Sequence, residues 1–139
     1  MTELVLDASV FVAAISPSEV HHRAARALYA SSREDQAFVV PSLFRVEVLA
    51  ALARRNEPAE VLDLVEVLVT GPRFHSVAID EALVDETARV VRAARVRAYD
   101  ALYAALALSR SAALLTHDLE LRSKISAAFP QLSLPLPAE

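Results

Sequence analysis

The chain has 139 residues, 55% hydrophobic and 23% charged, enough apolar surface to offset chain ordering within one core and too much for a disordered polymer. It contains no cysteine, which excludes disulfides, thiolate-bound zinc, iron–sulfur clusters and thiol catalysis and leaves oxygen or imidazole to hold any metal. The net charge of −4 provides no global attraction to nucleic acid, and residues 101–108, the longest apolar run despite a mean hydropathy of +0.35, fall far short of the roughly 18 needed to span a bilayer.

The first residues carry neither a basic segment nor a long apolar one, so no secretory signal is expected. The expectation is a cytoplasmic protein that does not engage membranes, folded as a single domain over 1–139 with a frayed tail from about 134. Residues 3–7 form a short apolar run ending in Asp7, and 37–40 form another that stops at Pro41; both predict buried strands. Residues 74–79 and 113–116 predict two more. Ser16, Pro17 and Glu19 combine an N-cap, a first-turn proline and a capping-box acid, predicting a helix from Ser16 to about Ser31. A second helix is expected to open at Ser42 and run to about Arg55. A third opens at Pro58 and closes at Gly71-Pro72, the only glycine, placed where a helix C-terminus tolerates a positive φ. Asp80 is placed to cap a fourth. Strands alternating with helices predict an α/β sandwich with a mostly parallel sheet. Ligands in such sheets bind at the carboxyl ends of the strands, where the topology switches direction.

Most of the 18 acidic residues lie in charged stretches, but Asp7, Glu47, Asp100 and Asp118 interrupt apolar context. A buried carboxylate needs a partner or a cation, and four such groups in one small domain suggest a shared cation. Each has a simpler reading. Asp100 and Asp118 suit the N-caps of the helices that follow them, and Glu47 lies near Arg45 and suits a wetted helix face. Asp7 is the exception, because no capping duty is evident there that Ser9 could not perform.

Four segments then carry a resemblance: Val5-Leu6-Asp7-Ala8-Ser9-Val10, residues 41–49 around Glu47, Tyr99-Asp100-Ala101-Leu102-Tyr103-Ala104, and Leu115-Thr116-His117-Asp118-Leu119. In that order they resemble the PIN-domain ribonucleases, and within them the VapC-type toxins of toxin–antitoxin pairs. The resemblance implies a three-layer α/β/α sandwich around a central, mostly parallel sheet, in which Asp7, Glu47, Asp100 and Asp118 are the active-site acids, with Ser9 and Thr116 as polar supports. It further implies Mg²⁺ or Mn²⁺ as cofactor, RNA as substrate, and a cognate antitoxin as partner. In this reading Asp7 and Asp100 bind the principal ion, Asp118 completes that site or a second, and Glu47 orients the attacking water. A non-catalytic, PIN-like corepressor or binding module is the alternative. His117 and the Arg-rich lead into Tyr99 depart from the family pattern. The basic run Arg89, Arg92, Arg95 and Arg97 is read either as phosphate contacts or as a solvated face. His21 and His22, adjacent on a helix, read as surface residues. Apolar surface left over on residues 61–69 and 43–53 suits a partner peptide or a homodimer. Aspartyl-phosphate enzymes and receiver domains also use a strand-end aspartate, but Ser9 stands where the former need a second acid, and Lys124 follows no strand.

Overall fold

The computed structural model describes residues 3–16, 22–23, 26 and 36–135. Four strands, β1 (Glu3–Leu6), β2 (Ala37–Pro41), β3 (Phe74–Val77) and β4 (Ala113–Leu115), lie in the order β3-β2-β1-β4 with every pairing parallel. Parallel neighbours need crossovers, and helices supply them. Among the described residues these are α1 (Ala8–Ile15), α2 (Phe44–Arg54), α3 (Ala59–Val69), α4 (Glu81–Ala94), α5 (Ala98–Arg110) and α6 (Leu119–Ala128). α1, α2 and α3 pack as one group, α4, α5 and α6 as another, and α5 lies across β1, β2 and β4. The expected α/β/α sandwich is therefore present. No helix among the described residues is long and apolar enough to cross a membrane.

The chain builds β1, β2 and β3 in one direction and then returns to place β4 on the free side of β1. The switch point thus falls between β1 and β4, and their carboxyl ends flank it. The Asp7 amide donates to the Leu115 carbonyl at 3.1 Å, carrying the ladder one residue beyond β1 and fixing where the Asp7 side chain emerges.

The helices follow from the sequence in different ways. α4 is amphipathic, with Leu83, Val90 and Ala94 buried on one stripe, and Asp80 caps it as predicted by accepting from the Leu83 amide at 2.9 Å. α5 is buried on every side from Ala101 to Ala107, and its alanines let the helix approach the sheet closely. Its far end is clamped to the start of β1, where the Arg110 guanidinium donates to both Glu3 carboxylate oxygens at 3.1 and 2.6 Å. α1 is apolar all round, Ser9 alone among its first seven residues being exposed. Its Phe11 meets Phe44 and Phe74 edge-on at 5.7 and 5.6 Å between ring centroids, and Phe38 lies 5.4 Å from Phe74.

Three expectations change. Ser16 ends α1 instead of opening a helix, and most of the helix predicted to Ser31 lies outside the described residues, although His22, Arg23 and Arg26 are helical. The His22 ring engages the Ala13 carbonyl at 2.7 Å, and His21 lies outside the described residues. Gly71 does not adopt positive φ; left-handed backbone falls on Asn56, Arg95 and Ser111. The glycine serves close approach instead, since a Cβ there would sit 3.1 Å from the Leu68 carbonyl oxygen. At the other end of the chain the carbonyls of Leu134 and Pro135 accept from the buried Arg122 guanidinium at 2.7 and 3.0 Å. The tail is therefore tethered as far as Pro135, and residues 136–139 lie outside the described set.

Phe11 is fully buried at the junction of α1, α2 and β3. Phe11→Ala is expected to lower the unfolding free energy by about 3–5 kcal/mol, measured by urea denaturation with the m-value held to the wild-type range.

Candidate active site at the β1–β4 switch point

Asp7 lies immediately after β1 and is the N-cap of α1: Oδ1 accepts from the Ser9 amide at 3.2 Å. It therefore does have a capping duty, contrary to the sequence reading, because a helix starts directly after the strand. Its second oxygen, Oδ2, accepts from the Thr116 hydroxyl at 3.0 Å. Thr116 is itself buried, and its Oγ1 accepts from the Asp118 amide at 3.2 Å. One hydroxyl thus joins the ends of β1 and β4. Asp118 caps α6 through Oδ1, which accepts from the Leu121 amide at 3.0 Å, so its simpler reading is also correct. Arg122 steadies the loop by donating to the Thr116 carbonyl at 3.2 Å.

Glu47 and Asp100 reach the same cleft from helices. Glu47 stands in the first turn of α2, and its Oε1 accepts from the Tyr103 hydroxyl at 2.9 Å across 56 residues of sequence. Arg45 does not neutralise it, because that guanidinium turns to Glu66 on α3 at 3.5 Å. Asp100 occupies the first turn of α5, but Arg97 is the N-cap and makes no side-chain cap bond. The expected capping role of Asp100 is thus absent, and its Oδ2 accepts instead from Arg97 Nε at 3.3 Å.

Asp7, Glu47, Asp100 and Asp118 line one cleft of about 480 Å³ together with Ser9, Arg54, Arg55, Arg97 and Tyr99. A second cavity of about 360 Å³ shares Asp100, Asp118 and Arg97 and adds Arg95, Glu120 and Lys124. The electrostatics reflect the crowding of acids. Burial pushes the Asp7 carboxyl above its ordinary range, against the hydrogen bonds from Ser9 and Thr116, and the Asp100 charge adds to the rise. Burial also raises Glu47, aided by the Asp7 and Asp100 charges and opposed by the Tyr103 hydroxyl. The Tyr103 hydroxyl is raised in turn by burial and by the Glu47 and Asp7 charges, which keeps it a donor.

The cleft therefore gathers all four acids with Ser9, and the buried Thr116 reaches it through its hydrogen bond to Asp7. It does not draw them into a finished metal cage: among the described residues no three His, Cys, Asp or Glu side chains are arranged to hold an ion as they stand. The donor chemistry nevertheless fits a hard divalent cation, being all carboxylate and hydroxyl oxygen. Desolvated, mutually repelling acids are also groups that a cation would relieve. Of the basic run, Arg95 and Arg97 line the cavities. Arg89 is held by Glu86 at 2.6 Å and lies over the Phe129 ring, leaving it a structural residue. His117 is buried. Sequence reasoning missed Tyr103 as a site residue. The available signal was its place one helical turn after Asp100, which puts both on one face of α5.

Comparison with curated proteins found no match. Among solved structures the chain is similar to a toxin–antitoxin complex from Klebsiella pneumoniae, at TM-score 0.72 and 14% identity over 100% of this chain and 99% of that one. It is also similar to VapC20 of Mycobacterium tuberculosis, a toxin that cleaves the sarcin–ricin loop, at 0.73 and 15% over 86% and 93%. VapBC-1 from nontypeable Haemophilus influenzae matches at 0.69 and 15% over 96% and 97%. Likeness at such identities establishes a shared fold. The PIN-domain family model matches residues 4–124, a span that takes in all four strands but for Glu3 together with Asp7, Glu47, Asp100 and Asp118, and the chain belongs to the PIN-domain family.

Proposed function

We propose that this protein is a Mg²⁺- or Mn²⁺-dependent endoribonuclease that hydrolyses RNA phosphodiester bonds and acts in the cytoplasm as the toxin of a toxin–antitoxin pair. The observation that carries the reading is the meeting of four carboxylates, from the ends of two strands and the first turns of two helices, in one cleft of a PIN-family chain. Asp7, Asp100 and Asp118 are assigned to hold the metal, which when bound would polarise the scissile phosphate and lower the pKa of a water.

The chain's own residues supply the rest. Thr116 and the Ser9 amide hold the Asp7 carboxylate in one orientation, so that ligation costs little further ordering. Glu47, raised by burial and aimed by the Tyr103 hydroxyl, is the group placed to accept a proton from attacking water. Arg54 and Arg55 at the end of α2 and Arg97 at the start of α5 line the cleft and offer cations to backbone phosphates. They supply locally the attraction that a net charge of −4 withholds globally. The antitoxin is the proposed partner, supported by likeness to the complexes from Klebsiella pneumoniae and Haemophilus influenzae. A homodimer is proposed through the apolar residues that α2 and α3 leave exposed, Val46, Leu64, Val67 and Leu68.

Incubation of the purified protein with single-stranded RNA should give cleavage with Mn²⁺ and none with EDTA. Asp7→Asn and Asp100→Asn should each lower the rate by more than roughly 100-fold, since even the outer partners of metal ligands are worth about 10–100-fold. Full activity in either variant would remove the assignment. In the same proteins Mg²⁺ or Mn²⁺ at about 100 times Kd should stabilise the wild type by about 2.7 kcal/mol and the variants far less, read from melting curves.

The raised Glu47 pKa has a signed consequence for the metal-free protein. A carboxyl whose folded pKa lies above its unfolded value contributes stability below the unfolded value, and that contribution is lost as pH rises through the folded one. Glu47→Gln keeps an acceptor for Tyr103 and cannot ionise. In EDTA its melting temperature relative to wild type should therefore increase as pH is raised from about 4 to about 8. A difference that is flat or falls with pH would contradict the burial argument.

A further inference from the structure

Arg97 breaks two local rules. The N-cap of a helix favours Ser, Thr, Asp or Asn, and the positive end of the helix dipole disfavours a cation; yet an arginine holds that position at the start of α5 and makes no cap bond. Its guanidinium is instead paired with Asp100, at 3.3 Å, while the Arg97 side chain stays 84% exposed and the Asp100 side chain only 21%. Arg97 also belongs to the lining of both cavities, one holding the four acids and the other sharing Asp100 and Asp118 with it and adding Arg95 and the Lys124–Glu120 pair, closed at 2.9 Å. A pair this exposed is weak and readily exchanged.

We propose that Arg97 is an exchangeable internal cation: it neutralises Asp100 while the site lacks metal, gives up that carboxylate to an arriving divalent ion, and then binds a phosphate of single-stranded RNA at the mouth shared by the two cavities, beside Arg95. The inference rests on the reading of the site as metal- and RNA-binding, and adds that metal and RNA loading are coupled through one side chain. No bond is made or broken; one ion pair replaces another. The two halves demand effects of opposite sign from a single substitution, which a merely structural role would not produce.

The test compares wild type, Arg97→Gln and Arg97→Lys by calorimetric titration with Mn²⁺ alone, and by the anisotropy of a labelled single-stranded RNA with Ca²⁺ in place of Mn²⁺ across a salt series. Arg97→Gln should bind Mn²⁺ about two- to five-fold more tightly, the scale of an exposed ion pair. It should bind RNA more weakly, with a log–log salt slope reduced by about one phosphate contact. Arg97→Lys, which keeps the charge, should return both measurements toward wild type and excludes misfolding as the cause. Unchanged or weaker Mn²⁺ binding in Arg97→Gln, or an unchanged salt slope, overturns the exchange. If these hold while wild type still binds Mn²⁺ and cleaves RNA, the exchange fails alone. A wild type that binds no Mn²⁺ removes the site reading and the exchange with it.

Discussion

The hydrogen bond from the Thr116 hydroxyl to Asp7 fixes the geometry on which the rest of the cleft depends. Asp7 is desolvated at the end of a strand deep in the sheet, where an unsatisfied carboxylate is costly. Thr116 answers that cost from the neighbouring strand, and its oxygen is oriented in turn by the Asp118 amide. Three residues that begin or end separate elements are thereby locked to one another. The Arg122 guanidinium reaches the same loop from α6 and ties it to the chain near Pro135, so the C-terminal segment supports the site without entering it. Removing the hydroxyl of Thr116 would act on two elements at once.

Using aspartates as helix caps resolves part of the repulsion among the acids. Asp7 and Asp118 each stand at a helix N-terminus, where backbone amides and the helix dipole favour negative charge. Their caps occupy one lone pair of one oxygen, and a carboxylate has about four. Capping and metal ligation are therefore compatible in one side chain. The alternatives weighed from sequence, cap or ligand, describe a choice that the geometry does not force. Asp100 and Glu47 lack this backbone support and depend on Arg97 and Tyr103 for theirs.

These particulars explain what was legible beforehand. The strands at 37–40 and 113–116, the Asp80 cap and the parallel layering follow from apolar runs punctuated by Pro, Asp and Ser, and all reappear within a residue or two. α1 escaped because its eight residues are apolar on every face, and so short a run cannot be separated from strand by periodicity. That omission hid the capping role of Asp7. Gly71 marks the helix end because glycine tolerates a positive φ there, but Thr70 completes the turn and the constraint is the approach to the Leu68 carbonyl. The acids themselves were visible as charges out of place among apolar neighbours. Their partners were not, since Tyr103 meets Glu47 across 56 residues and Thr116 meets Asp7 across 109, and only the fold brings such pairs together.

For an acidic protein to act on a polyanion, as proposed, its charges must be separated in space. Here the sheet topology does so: the carboxylates converge where β1 and β4 end, while Arg54 and Arg55 close α2 and Arg95 and Arg97 occupy the link between α4 and α5. Arg95 accepts a left-handed backbone, with φ of 56°, to end α4 at that link, a conformation that disfavours any residue with a Cβ. The chain thus tolerates strain at Arg95 and an ill-suited cap at Arg97 within three consecutive residues beside the cleft. Both departures lie beside the cleft, and the second sets a cation where it meets Asp100 at 3.3 Å.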